Sequence, residues 1–174
     1  MKKKNSKKSE VMAGRAKCES LLFQAEWGAK KLGVEVSDVV RQRIAEEIMV
    51  LGNMGLVEDV LALKDTIEGI KGQFSLNPES VSGALEGSVV AFCVGILDKN
   101  PMDSDEVINP NVLNAPCMVK LKFDNDVRNQ VVEWVREKNY GEVKTMLGKP
   151  VLKLKNMIVE FGRPKIRNYQ PIHD

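Results

Sequence analysis

The hydrophobic period changes once along this chain, and that change limits the folds open to it. From Cys18 to Ile96 apolar residues recur every three or four positions. From Cys117 onward they recur every second position. The first spacing lines one face of a helix, and the second lines one face of a strand. Helices grouped first and strands grouped later predict an α+β fold rather than an alternating parallel one. Between them, residues 99–116 carry Pro101, Pro110 and Pro116 among several Asn and Asp, which reads as a linker.

Four helices are predicted before that linker. Cys18, Leu21, Leu22, Ala25, Ala29 and Leu32 share one face of the first, and Gly33 ends it. Ser37 and Asp38 offer caps for the second, whose stripe is Val40, Ile44, Ile48 and Leu51. After Gly52-Asn53-Met54-Gly55 the third has Val57, Val60, Lys64, Ile67 and Ile70 in register. Asn77-Pro78-Glu79 carries the start signals of a fourth, with Val81, Leu85, Val89, Phe92 and Ile96 on one face. Gly83, Gly87, Ala91 and Gly95 would form a second stripe that lets another helix approach closely. Because it is apolar nearly all round, this helix is expected at the centre of the helical part, with a subunit interface as the alternative.

Past the linker, Cys117, Val119, Leu121 and Phe123 alternate with Met118, Lys120 and Lys122, as in a half-buried strand. Asp124-Asn125-Asp126 can cap a helix reaching to about Lys138. A short strand or helical turn is expected over 143–147. Strands follow over 151–155 and 157–161, joined as a hairpin at Lys155-Asn156. The expected organisation is a flexible basic tail (1–10), a helical subdomain of about four helices (11–98), a linker (99–116), a small β-α-β-β subdomain (117–162) and an irregular tail (163–174).

Charge is distributed unevenly. Residues 1–8 carry net +5, residues 9–111 net −8 and residues 112–174 net +5, within an overall +2. Basic ends around an acidic middle suit contact with a polyanion, or neutralisation within or between subunits. No apolar run is long and clean enough to span a bilayer; Val81 to Leu97 is short and contains Glu86. The basic start lacks an apolar signal core, and three unevenly spaced cysteines do not make a disulfide framework. A cytoplasmic protein (in host cytoplasm, if viral) without a membrane partner is expected.

Catalytic signatures are missing. The one histidine, His173, stands beside the C-terminus. No CxxC, GxxxxGK[ST] or GxGxxG occurs, so common zinc sites and phosphate loops lack their residues. Glu46, Glu47, Glu58 and Asp59 read as solvated helix faces. Asp103, Asp105 and Glu106 read as loop acids, without the spacing or turn glycine of an EF-hand. The Gly52–Gly55 segment has the form of a GXXG backbone clamp, but Glu58 and Asp59 follow it and would repel phosphate. No catalytic residue, metal site or cofactor is expected.

The basic C-terminal region is the stronger lead. Lys120 and Lys122 on one strand, and Lys153 and Lys155 on another, would share the outer face of a common sheet. Lys149, Arg163, Lys165 and Arg167 would flank them, and Lys2, Lys3 and Lys4 would add a mobile contact. Such a surface suits phosphate contacts. Aromatic platforms for bases are scarce, with only Tyr140 and Tyr169 as candidates. The sequence therefore leads to a non-enzymatic accessory protein that binds RNA or DNA. The alternative is a structural or assembly protein, such as a virion component or adaptor, working as a homo-oligomer or with a protein partner. The overall style matches a small viral or phage accessory protein. An enzyme using carboxylates or Cys ranks third.

Overall fold

The computed structural model describes residues 2–114 and 116–163. The fold is α+β, as expected. The helical part begins with α1 (Lys2–Lys31), α2 (Asp38–Asn53) and α3 (Val57–Phe74). A strand, β1 (Ser80–Gly83), and a short helix, α4 (Val89–Cys93), follow. The segment rich in proline then makes 3-10 turns at Pro101–Ser104 and Pro110–Val112. The chain finishes with β2 (Cys117–Lys122), α5 (Asn125–Lys138), β3 (Glu142–Met146), β4 (Lys149–Lys153) and β5 (Met157–Gly162).

The first three predicted stripes supply most of the helical core, although Leu32 lies past the end of α1 and is exposed. Leu21, Ala25 and Ala29 of α1 meet Val40, Ile44, Ile48 and Leu51 of α2 and Val60, Ile67 and Ile70 of α3 in one buried cluster. Ser37 caps α2 by accepting a bond from the Val40 amide. On α3 the buried position is Leu63 rather than its neighbour Lys64. Helix α1 extends back to Lys2, through the segment expected to be a flexible tail. Between residues 5 and 17 it is exposed all round; Lys17, at the end of this stretch, pairs with Glu58 of α3, and helix propensity supports the residues before it.

The fourth helix is the main departure. Residues 80–83 pair antiparallel with β2 instead, in the register Ser80↔Lys122 through Gly83↔Val119. Gly83, Gly87 and Gly95 have φ of +105°, +82° and +87°, which a right-handed helix excludes. These glycines turn the chain; they do not line a helix face. Good helix-start residues are overridden because β2 offers a ladder. The Glu79 amide donates to the Lys122 carbonyl at 2.8 Å, and the Ala84 amide to Met118 at 2.9 Å.

The sheet has the order β1-β2-β5-β4-β3. Strands β2 and β5 run parallel and the other pairs antiparallel. One face packs Val119, Leu121, Leu152, Val159 and Phe161 into the core with Val131 and Val135 of α5. Phe74, Trp134 and Tyr140 join α3 to α5 through ring contacts at 6.0 and 5.9 Å. Tyr140 is thus committed to packing.

Two carboxylates expected at the surface are buried. Glu47 is 4% exposed and accepts bonds from Ser88 Oγ and from the Val89 and Val90 amides, each at 2.9 Å. It supplies acceptors to the first amides of α4, which have none within the helix. Asp59, 2% exposed, accepts the Lys155 and Asn156 amides at 3.0 Å each and so holds the β4–β5 turn against α3. Solvation is the wrong account of both side chains, because Glu47 answers buried backbone donors and Asp59 the part-buried donors of a turn.

Two pairs of measurements test this. A Cβ on Gly87 would lie 2.5 Å from the Val107 carbonyl carbon, at positive φ. Gly87→Ala should therefore lower urea stability by about 1–3 kcal/mol. Gly72→Ala, in helix α3 with nothing within 4 Å of its Cβ, should raise it by about 0.5–1 kcal/mol. Asp59→Asn turns an amide NH2 toward one of the two turn N–H groups that the carboxylate accepts and should cost about 1–3 kcal/mol, a loss that Asp65→Asn does not share.

Candidate nucleic-acid interface

The sheet face turned away from α5 is basic. Strand alternation and register put Lys120 and Lys122 of β2, Lys144 of β3, and Lys149 and Lys153 of β4 on it, against Glu142 and Glu160. Glu160 occupies the middle. Its Oε1 lies 3.7 Å from Lys120 Nζ and 3.1 Å from Lys149 Nζ. The aliphatic stem of Lys120 lies over Gly162, where a Cβ would come within 2.4 Å of its Cε. A side chain at 162 would displace the lysine.

Arg128 completes the cluster. It sits in the first turn of α5, is 8% exposed, and donates from Nε to the Phe161 carbonyl at 2.8 Å. Burial lowers the pKa of its guanidinium, nearby Arg163 lowers it further, and Glu160 opposes both. Lys120, Arg128, Lys149, Glu160 and Arg163, with Gly148 and Gly162, enclose a cavity of about 370 Å³. Four cations face one carboxylate there, so the cavity suits an anion with several acceptor oxygens.

Lys120, Lys122, Lys149, Lys153 and Arg163 therefore come together. Lys155 does not. β4 ends at Lys153, which removes Lys155 from the alternation, and its Nζ lies 3.5 Å from Glu58 Oε2 beside α3. Lys2, Lys3 and Lys4 begin α1 rather than a tail. Lys165, Arg167, Tyr169 and His173 lie outside the described residues. Sequence reasoning missed Arg128 and Glu160. A signal for Arg128 was available: a cation in the first turn of a helix opposes the helix dipole and calls for another reason to be there.

The two buried cysteines, Cys93 and Cys117, are not poised for chemistry. Burial pushes the Cys93 thiol up to about 11, with the charge of Glu47 adding to the effect. Burial does the same for Cys117, also to about 11, with Asp59 contributing. Among the described residues, no group of three or more His, Cys, Asp or Glu side chains is placed to hold a metal ion. No helix among them is long and apolar enough to cross a membrane.

No family model matches the chain. Individual proteins do. The likeness is to bacterial DNA polymerases. Over 128 residues, 70% of this chain, it is 27% identical to DNA polymerase III subunit alpha of Aquifex aeolicus, covering 11% of that protein. Over 121 residues, 67% of the chain, it is 30% identical to DNA polymerase III subunit alpha of Halalkalibacterium halodurans, again covering 11%. Over 160 residues, 89% of the chain, it is 22% identical to the error-prone DNA polymerase of Ralstonia nicotianae, covering 13%. The chain thus spans about a tenth of the length of these relatives.

This likeness overturns the expectation of a non-enzymatic accessory protein, because the similar proteins are replication enzymes. It also runs against placing the chain outside enzymology. Nothing in the fold or the likenesses supports the viral, virion-assembly, RNA-binding or oligomer expectations.

The thiol environments make a simple prediction. In the folded protein at pH 8, iodoacetamide should label half-buried Cys18 and spare Cys93 and Cys117, which should react only after unfolding. Peptide mass spectrometry reads the outcome.

Proposed function

We propose that this chain is a module of DNA synthesis related to part of the bacterial polymerases it resembles, and that it holds DNA by its phosphates on the open sheet face. The likeness to polymerases across most of the chain carries the reading. The cavity formed by Lys120, Arg128, Lys149 and Arg163 supports it, because concave clusters of Lys and Arg fit phosphate oxygens. Glu160 has a defined part. It bridges Lys120 and Lys149 in the free protein, leaving the trio net positive, and holds their ammonium groups at the rim. Arriving phosphates compete with it for the same cations. Arg128, anchored through Nε to the Phe161 carbonyl, keeps its remaining guanidinium donors oriented.

Binding of a primer–template duplex, followed by fluorescence anisotropy against salt, tests the reading. Affinity should fall steeply as salt rises. Arg163→Gln and Lys149→Gln should each weaken binding of all sequences alike and reduce the salt slope by about 1. Lys155→Ala, beside Glu58 rather than on the open face, should leave both nearly unchanged. No binding at low salt, or binding indifferent to Lys149 and Arg163, would overturn the proposal.

A further inference from the structure

The turn between β3 and β4 is built against its own interest. Met146 pairs with Lys149, so Leu147 and Gly148 form a two-residue loop. Both have positive φ, +50° and +76°. Two-residue hairpins of this kind favour Asn-Gly, because Asn tolerates the left-handed region and Leu does so poorly. Leu147 is also 100% exposed. It therefore carries backbone strain and an unburied apolar side chain at once, and neither helps to close the hairpin. Met146 beside it is 39% exposed.

The surroundings say what the tip meets. Gly148 and Lys149 form part of the wall of the cationic cavity, with Lys120, Arg128 and Arg163. Lys144, two residues before Met146, lies on the same open face. The apolar tip thus stands at the rim of the surface where phosphates are proposed to lie. Leu and Met side chains next to phosphate-binding cations are the means by which proteins enter a base step and unstack it. A protein partner could also bury a leucine, but the cations around this one favour a polyanion.

We infer that the β3–β4 turn is a DNA wedge, with Leu147 entering between adjacent bases while Lys149 and its neighbours hold the flanking phosphates. The inference rests on the DNA-binding reading above. It adds a distortion of the duplex that phosphate contacts alone do not require. The strain at Leu147 is kept because a turn residue of lower energy would have nothing to insert.

The test uses an alternating A·T duplex with 2-aminopurine at several adenine positions, so that unstacking in any register raises fluorescence. The wild-type chain should raise it at saturation. Leu147→Asn should abolish the rise, keep the salt slope, and increase the thermal midpoint of the protein by relieving the turn. A wild-type chain that binds DNA without a rise, or a Leu147→Asn variant that retains it, overturns the wedge and leaves the phosphate reading standing. A wild-type chain that binds no DNA at low salt overturns both.

Discussion

Strand β2 must find hydrogen-bonding partners along both of its edges, and much of the fold follows from how it does so. On one side β5 runs parallel to it over six residue pairs, from Cys117↔Met157 to Lys122↔Gly162. A parallel neighbour requires a crossover, and α5 lies in the segment that makes it. On the other side the partner is β1, drawn from before the segment rich in proline. The helical and strand-rich parts are therefore tied by a backbone ladder as well as by apolar packing. One buried cluster runs from Leu21 of α1 to Phe161 of β5.

Recruiting β1 creates a local difficulty that Glu47 resolves. The chain leaves β1, turns through Gly83 and Gly87, and starts a five-residue helix whose first amides face the interior. A carboxylate from α2 reaches those amides and Ser88 together. Arg43, one turn earlier on α2, lies 3.4 Å from Glu47 and donates to the Gly87 carbonyl at 3.0 Å. Asp59 does comparable work at the far end of the sheet. Its burial raises its pKa, while the Asn156 and Lys155 amides and the Lys155 charge act in the opposite direction. Both acids cost free energy to bury, and both offset that cost by accepting backbone N–H bonds, from buried amides at Glu47 and from part-buried ones at Asp59.

The same sheet separates packing from recognition. Its inner face is closed by α5, and its outer face carries five lysines around a nearly buried Glu160. Two acids among these cations, Glu160 between Lys120 and Lys149 and Glu142 at 3.3 Å from Lys144, limit their mutual repulsion without cancelling the field of the face. The β3–β4 hairpin extends that face into an apolar tip. Charge to hold a backbone and a hydrophobic group to enter a stack are thus carried by adjacent residues, Leu147 and Lys149.

Much of this was legible in the residues themselves. The stripe of α2, the alternation of Cys117 to Phe123 and the cap of α2 at Ser37 are local patterns, and local patterns survive folding when packing agrees with them. The pairing of Lys120 with Lys122 on one outward face follows from strand geometry in the same way. The fourth helix failed because Asn77-Pro78-Glu79 records only a local preference, whereas the free edge of β2 is a demand made by residues some forty positions away. Arg128 and Glu160 joined the basic surface only when α5 and β5 converged. Lys155 left it because a strand end and a buried aspartate are tertiary facts. The sequence by itself determined the helical and strand periods and the basic character of the C-terminal region, since those depend on neighbours along the chain. Tertiary structure alone decided which carboxylates are buried, which cations meet, and that Leu147 stands exposed at their rim, since those depend on partners that the chain brings together only by folding.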